Sequence, residues 1–171
     1  MSTAVARPSP ADVVLLADLD AQHVGALLRA YGARLAHVSP GAAIPGSYWG
    51  DTEAGLVGNT VYVGADTPAH SFLHELCHFI CMDDVRRAAL ETDAGGTDDE
   101  ECGVCYLQVL LAERLDGFGT AVCLRDMDSW GYSFREGSAR AWFDGDGAHA
   151  RAWLVAHGLI DSTGTPTFAL R

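Results

Sequence analysis

Three residues near the middle of the chain, His74, Glu75 and His78, have the types and the spacing that a hydrolytic zinc site needs. They belong to the segment His74-Glu75-Leu76-Cys77-His78, which has the pattern H-E-x-x-H. On a helix, residues four apart lie one turn above each other on the same face, so both imidazoles can face one metal ion. Glu75 then lies beside them, where a carboxylate can serve as general base toward a zinc-activated water. The pattern predicts Zn²⁺ held by His74 and His78, with Glu75 as the catalytic residue.

The residues around the motif indicate a buried helix. Apolar side chains cover most of its circumference, namely Phe72, Leu73, Leu76, Phe79 and Ile80. Polar groups inside such a helix need partners, and a metal ion is the simplest common partner for two histidines and a glutamate. The apolar surroundings therefore strengthen the prediction of a zinc site.

A hydrolytic zinc site needs a third protein ligand, and several carboxylates compete for this role. Residues 98–101 open a second predicted helix that runs to about Leu115. Glu100 shares one face of that helix with three apolar residues, Val104, Leu107 and Leu111. A buried face points toward the metal helix, so Glu100 is the preferred ligand, and Glu101 follows because its face is less apolar. Asp84 and Asp99 remain alternatives.

Taken together, the two segments resemble a small gluzincin, closest to the ImmA/IrrE-like zinc metallopeptidases. That family carries H-E-L-G-H followed by a helix of the form E-x-x-A-N-x-F-A-x-x-L-L. Here H-E-L-C-H occupies 74–78, and Glu100-x-x-Gly103-Val104-x-Tyr106-Leu107-x-x-Leu110-Leu111 follows the second pattern. The resemblance implies that His74, His78 and Glu100 bind zinc and that Glu75 is the general base. The segment 96–103 also resembles the G-T-x-D-x-x-Y-G segment of the aspzincins, which would make Asp99 the ligand.

The order of the predicted elements is typical of an α+β protein. Asp20 caps a helix that ends at Gly32, and strands follow at 34–38 and 59–63 around a loop that carries Tyr48 and Trp49. Beyond the metal helix the predicted elements are mainly helical. With the resemblance, this order implies a minimal zincin-like domain with a short antiparallel sheet packed on the H-E-x-x-H helix and a helical C-terminal part. Residues 1–10 are predicted to be a flexible tail, and residues 11–171 a single domain.

Composition limits the classes of partner. The chain has 171 residues, a net charge of -12 and 49% hydrophobic residues, and its N-terminus does not have the pattern of a secretory signal. Nucleic acids and anionic membranes attract basic patches, so direct binding to either is not expected. An odd number of cysteines, five, favours reduced thiols in a cytoplasmic protein over a disulfide framework.

The sequence therefore predicts a cytoplasmic zinc metallopeptidase that acts on a peptide or protein, with the strand at 59–63 aligning the substrate. Three alternatives stay open at this point. One is a non-catalytic protein in which zinc only joins two helices, and another is an interaction domain with a fortuitous motif. The third is a four-thiolate zinc site built from Cys77, Cys81, Cys102 and Cys105. The sequence does not indicate an oligomeric state.

Overall fold

A small mixed β-sheet lies beside the helix that carries the H-E-x-x-H motif. The computed structural model of the protein describes residues 12–47 and 52–171. Strands β1 (Arg34–His37), β2 (Gly55–Val57) and β3 (Thr60–Val63) form a sheet in the order β1-β3-β2. β1 pairs with β3 in parallel, with Leu35 opposite Val61, and β2 pairs with β3 antiparallel, with Leu56 opposite Val61. Val61 and Val63 are fully buried, so one face of the sheet belongs to the core.

The motif helix, α2 (Ala69–Cys81), begins after a turn built by Thr67 and Pro68. The Thr67 hydroxyl accepts a hydrogen bond from the backbone N–H of Gly64 at 2.8 Å, and Pro68 has the fixed φ that suits a helix start. The helix is buried along most of its length, with Phe72, Leu73, Leu76 and Ile80 inaccessible to solvent. It therefore gains its stability from packing, and its polar residues lie in a largely apolar environment.

Helix α4 (Asp98–Ala112) is the main packing partner of α2. Thr97 caps its N-terminus by accepting a hydrogen bond from the backbone N–H of Glu100 at 3.3 Å, and the acidic first turn suits the helix dipole. Val104, Leu107 and Leu111 are fully buried. The short helix α3 (Asp84–Ala89) connects to α4 through the loop at 90–97. The first turn of α4 is thus held against α2 near the end of the motif.

Helix α1 (Ala21–Ala30) precedes the sheet, whereas α5 (Gly119–Trp130), α6 (Ala139–Asp144) and α7 (Gly147–Ala156) follow α4. Among these remaining helices, α5 and α7 pack against α4, α6 packs against α5 and α7, and α1 packs against β1. Gly103 allows α7 to approach closely, because a Cβ at this position would lie 2.7 Å from the ring of Trp153. Arg171 returns to the motif helix, where its backbone N–H donates to the carbonyl of Ile80 at 3.1 Å. None of the helices in the described parts of the chain has the length and apolarity needed to span a bilayer.

These elements confirm the α+β class, the helix from Asp20 to the region of Gly32, the motif helix and the second helix. The prediction of an antiparallel sheet is wrong, because β1 joins β3 in parallel. Sequence analysis also missed β2 and α6, both of which are very short. The predicted tail at 1–10 and the loop residues Tyr48 and Trp49 lie outside the described residues.

Candidate metal centre

Two histidines of α2 and one glutamate of α4 come together at the end of a cavity. The ligand atoms of His74, His78 and Glu101 all lie within 4.8 Å of one another. The Nε2 atoms of the two histidines are 3.1 Å apart, and Nε2 of His78 is 3.7 Å from a carboxylate oxygen of Glu101. Ligands about 2.0–2.2 Å from one ion at tetrahedral angles lie roughly 3.3–3.5 Å from one another. The observed separations lie on either side of this range, and the group could hold a metal ion.

The surroundings of the two histidines differ. Nδ1 of His74 lies 2.9 Å from Oε1 of Gln108, whose Nε2 donates to the backbone carbonyl of His70 at 3.0 Å. Nδ1 of His78 is buried and has no hydrogen-bond partner among the residues that the structure describes. Burial lowers the pKa of both histidines, so both are neutral near pH 7, as metal ligands must be.

Glu100, the ligand preferred from the sequence, is not part of this group. Its side chain is almost fully buried, and its carboxylate accepts hydrogen bonds from Nη1 of Arg86 at 2.8 Å and from Nη1 of Arg171 at 2.9 Å. Successive residues of a helix point about 100° apart, so the carboxylates of Glu100 and Glu101 have different neighbours. The structure thus places Glu100 apart from the group that could hold a metal, and the assignment of Glu100 as third ligand stays a prediction: its face is buried, and two arginines balance the charge of its carboxylate.

The first turn of α4 is tied closely to the loop before it. A Cβ on Gly96 would lie 2.4 Å from a carboxylate oxygen of Glu100, so this position must be glycine for the carboxylate to fit. The backbone N–H of Gly96 donates to Oε1 of Glu101 at 3.2 Å, and Arg86 donates to the carbonyls of Ala94 and Gly95. These contacts fix the position from which Glu101 reaches the histidines.

Glu75 lines the cavity next to the histidines. The cavity has a volume of about 350 Å³, and its lining includes Glu53, Glu75, Asp93, Glu101 and Tyr132. Burial, together with the negative charges of Glu53 and Glu101, raises the pKa of Glu75 to about 8. A cation between these carboxylates would favour the ionised form of Glu75. The cavity thus combines a possible metal group with a carboxylate of the kind that general bases need.

Two residues of the site were not predicted as parts of it, namely Glu53 in the cavity wall and Gln108 behind His74. Glu53 precedes β2 and accepts a hydrogen bond from the indole N–H of Trp130 at 3.0 Å. The neighbouring Ala54 donates its backbone N–H to the hydroxyl of Ser71 on α2, which fixes Glu53 beside the motif helix. Gln108 is fully buried and contacts His74 from outside the cavity lining. No local pattern identifies either residue, since both reach the site through long-range packing.

The other candidates from the sequence lie elsewhere. Asp84 and Asp99 are exposed to solvent, and Asp84 pairs with Arg87. Nδ1 of His157 lies 2.8 Å from the carbonyl of Trp153, while His149 lines a separate groove. Within the described residues the cysteines form no group that could hold a metal, and Cys77 and Cys81 are buried. Tyr132, by contrast, lines the cavity.

Comparison of the chain with protein-family models, with characterised proteins and with solved structures found no significant match. The resemblance to gluzincins therefore stays a prediction that rests on the residues of the motif.

Proposed function

We propose that the protein is a zinc-dependent metallopeptidase of the gluzincin type, with His74, His78 and Glu101 as ligands. The observation that carries this proposal is the convergence of these three side chains in one cavity with Glu75. Relative to the pattern of the ImmA/IrrE-like family, the ligand moves by one residue, from Glu100 to Glu101. His74, Glu75 and His78 keep the positions that the family pattern gives them.

The chemistry divides between the ion and the cavity. Bound Zn²⁺ supplies a Lewis acid that polarises a peptide carbonyl and lowers the pKa of water. Glu75 accepts the proton of the attacking water and delivers it to the leaving amine, which requires its carboxylate to be ionised. Burial raises the pKa of Tyr132 well above its ordinary value, so this phenol keeps its proton and can donate a hydrogen bond to the developing oxyanion.

The cavity also favours a particular kind of peptide. Its described lining includes four carboxylates, on Glu53, Glu75, Asp93 and Glu101, and neither lysine nor arginine. After one divalent cation is bound, the site is still negative if these groups are ionised. Peptides with basic residues near the scissile bond are therefore the preferred substrates on electrostatic grounds.

The strand that was expected to align the substrate, β3, has no free edge on which a peptide could pair. β3 is the central strand, and its backbone pairs with β1 on one side and β2 on the other. The outer strand β2 is approached by the loop at 45–47, where a Cβ on Gly46 would lie 2.4 Å from the carbonyl oxygen of Leu56. The walls of the cavity, and not an added strand, are therefore proposed to position the peptide.

The test uses zinc content and peptide cleavage together. Purified protein, reconstituted with zinc, is incubated with a mixed-sequence peptide library, and cleavage products are identified by mass spectrometry. We expect about one zinc per chain, lost in His74→Ala, and cleavage that disappears in Glu75→Gln although zinc remains bound. Glu91→Gln, an exposed glutamate outside the cavity lining, is the matched control and should cleave normally. Equal cleavage by Glu75→Gln and the parent protein would refute the catalytic role of Glu75.

A further inference from the structure

The side-chain amide of Gln108 contacts the backbone carbonyl of His70, Nδ1 of His74 and the side chain of Tyr132, and the carbonyl of His70 determines its orientation. Gln108 is fully buried on α4, and one end of its amide lies 3.0 Å from the backbone carbonyl of His70. A carbonyl oxygen can only accept a hydrogen bond, so this end must be the NH₂ group. The opposite orientation would place two oxygens in contact without a proton between them. The other end, which lies 2.9 Å from Nδ1 of His74, is therefore Oε1.

An oxygen acceptor at this distance determines where the proton of His74 is located. Oε1 of Gln108 carries no proton, so Nδ1 of His74 must donate the hydrogen bond. A neutral imidazole has one N–H, and Nε2 of His74 is left with a free lone pair. Nε2 is the nitrogen that faces His78 and lies in the group with Glu101. We infer that Gln108 fixes His74 in the Nδ1–H tautomer and so presents Nε2 as a preformed metal ligand.

Without a bound metal, the same contacts predict the opposite arrangement for His78. The two Nε2 atoms are 3.1 Å apart, and a hydrogen bond between them needs exactly one proton. Since Nε2 of His74 has none, Nε2 of His78 donates, and its Nδ1 is the unprotonated nitrogen. His74 is thus ready to bind a metal, whereas His78 must move its proton from Nε2 to Nδ1 first.

Gln108 is a positioning residue in this scheme, since it acts on the metal only through His74. The inference rests on the proposed metal site, but the tautomer can be measured without metal. Long-range ¹H–¹⁵N correlation spectra of ¹⁵N-labelled, zinc-free protein at pH 7.5 report which imidazole nitrogen carries the proton. We expect His74 to be protonated on Nδ1 and His78 on Nε2. Zinc should move the proton of His78 to Nδ1 and leave that of His74 in place.

Three variants separate the effect of the hydrogen-bond acceptor of Gln108 from the effect of its packing. Gln108→Met keeps the length of the side chain but lacks the acceptor oxygen. In this variant His74 should no longer be held in the Nδ1–H tautomer, and zinc binding should weaken about 10–100-fold. Gln108→Glu restores an acceptor, although it loses the donor to His70, and should recover the Nδ1–H tautomer and most of the affinity. Val109→Ala, at a buried neighbouring position, is the packing control and should leave both unchanged.

Two results would overturn the inference: His74 protonated on Nε2 in the zinc-free parent, or zinc affinity in Gln108→Met equal to that of the parent. Absence of zinc binding together with an Nδ1–H tautomer for His74 would instead refute the proposed metal centre, while the effect of Gln108 on the tautomer would stand. The spectrum therefore decides the inference whether or not the protein binds zinc.

Discussion

Replacing Glu100 by glutamine should destabilise the protein without removing the metal. The substitution keeps the shape of the side chain, but it leaves the charges of Arg86 and Arg171 without their anion. It also turns an amide N–H toward guanidinium N–H groups. Loss of one partner from a buried ion pair costs about 3–5 kcal/mol. The side chains of Arg86 and Arg171 are 34% and 29% exposed, so water can partly replace the carboxylate. We therefore expect a cost near the lower end, about 3 kcal/mol.

For a chain of this length, each kcal/mol lowers Tm by about 2–4 °C, so Glu100→Gln should melt about 6–12 °C below the parent. Glu101→Gln is the matched comparison. Its side chain is 38% exposed and pairs with no arginine, so its unfolding free energy should change by less than about 0.5 kcal/mol. Its zinc affinity should nevertheless fall by at least about 10–100-fold, because removal of a residue that only hydrogen-bonds to a metal ligand already has an effect of this size.

Thermal unfolding of the zinc-free proteins and zinc titration with a competing chelator measure the two effects separately. The expected pattern is a loss of stability in Glu100→Gln alone and a loss of zinc affinity in Glu101→Gln alone. The reverse pattern would show that Glu100 is the ligand, as the sequence first indicated, and would refute the reasoning from the arginine contacts.

Three further predictions follow from the same contacts. Burial lowers the pKa of His70 to about 3, so below pH 6.5 only the unfolded chain binds its proton. Between pH 6.5 and 3 the unfolding free energy of the parent should therefore fall relative to that of His70→Phe, by up to about 1.4 kcal/mol per pH unit. A difference between the two proteins that stays constant from pH 7 to 5 would contradict this. Peptides with arginine or lysine beside the scissile bond should be cleaved faster than acidic ones, and added salt should reduce the preference measured by competition. Removal of zinc by a chelator should lower Tm but leave the far-UV circular dichroism of a folded protein at 25 °C; unfolding on chelation would indicate a structural metal.

The parts of the fold that sequence analysis predicted are those with strong local signals. Asp20, Thr67-Pro68 and the apolar residues around the motif define helix starts and a buried face without reference to the rest of the chain. Strand β2 was missed although its pairing with β3 is local: the two strands form a hairpin across Gly58 and Asn59, but β2 has only three residues and no alternating pattern. Parallel pairing of β1 with β3 is instead set by the connection between them, which no local pattern describes.

Glu100 shows why the third metal ligand could not be assigned from the buried face of a helix alone. Glu100 lies on the buried face, as predicted, but burial alone does not identify what balances the charge. Arg86 comes from α3 and Arg171 from the last position of the chain, so their convergence on Glu100 is a tertiary effect. Glu101 lies at the edge of the buried face, where its carboxylate can reach both the cavity and the end of α2. A ligand that must share an open site with a substrate belongs at such an edge.

The distribution of contacts supports the proposal that a metal here would serve chemistry more than folding. α2 and α4 already pack through fully buried residues, including Leu73, Leu76, Val104 and Leu107. The charge of Glu100 is balanced without a metal, and His74 is held by Gln108. A purely structural zinc would be expected to replace such contacts and to be closed off by a fourth protein ligand. The described chain instead brings three ligand atoms to the wall of a cavity of about 350 Å³, beside an acidic side chain that binds neither arginine nor lysine. An incomplete ligand set that opens onto space for a substrate is what catalysis requires.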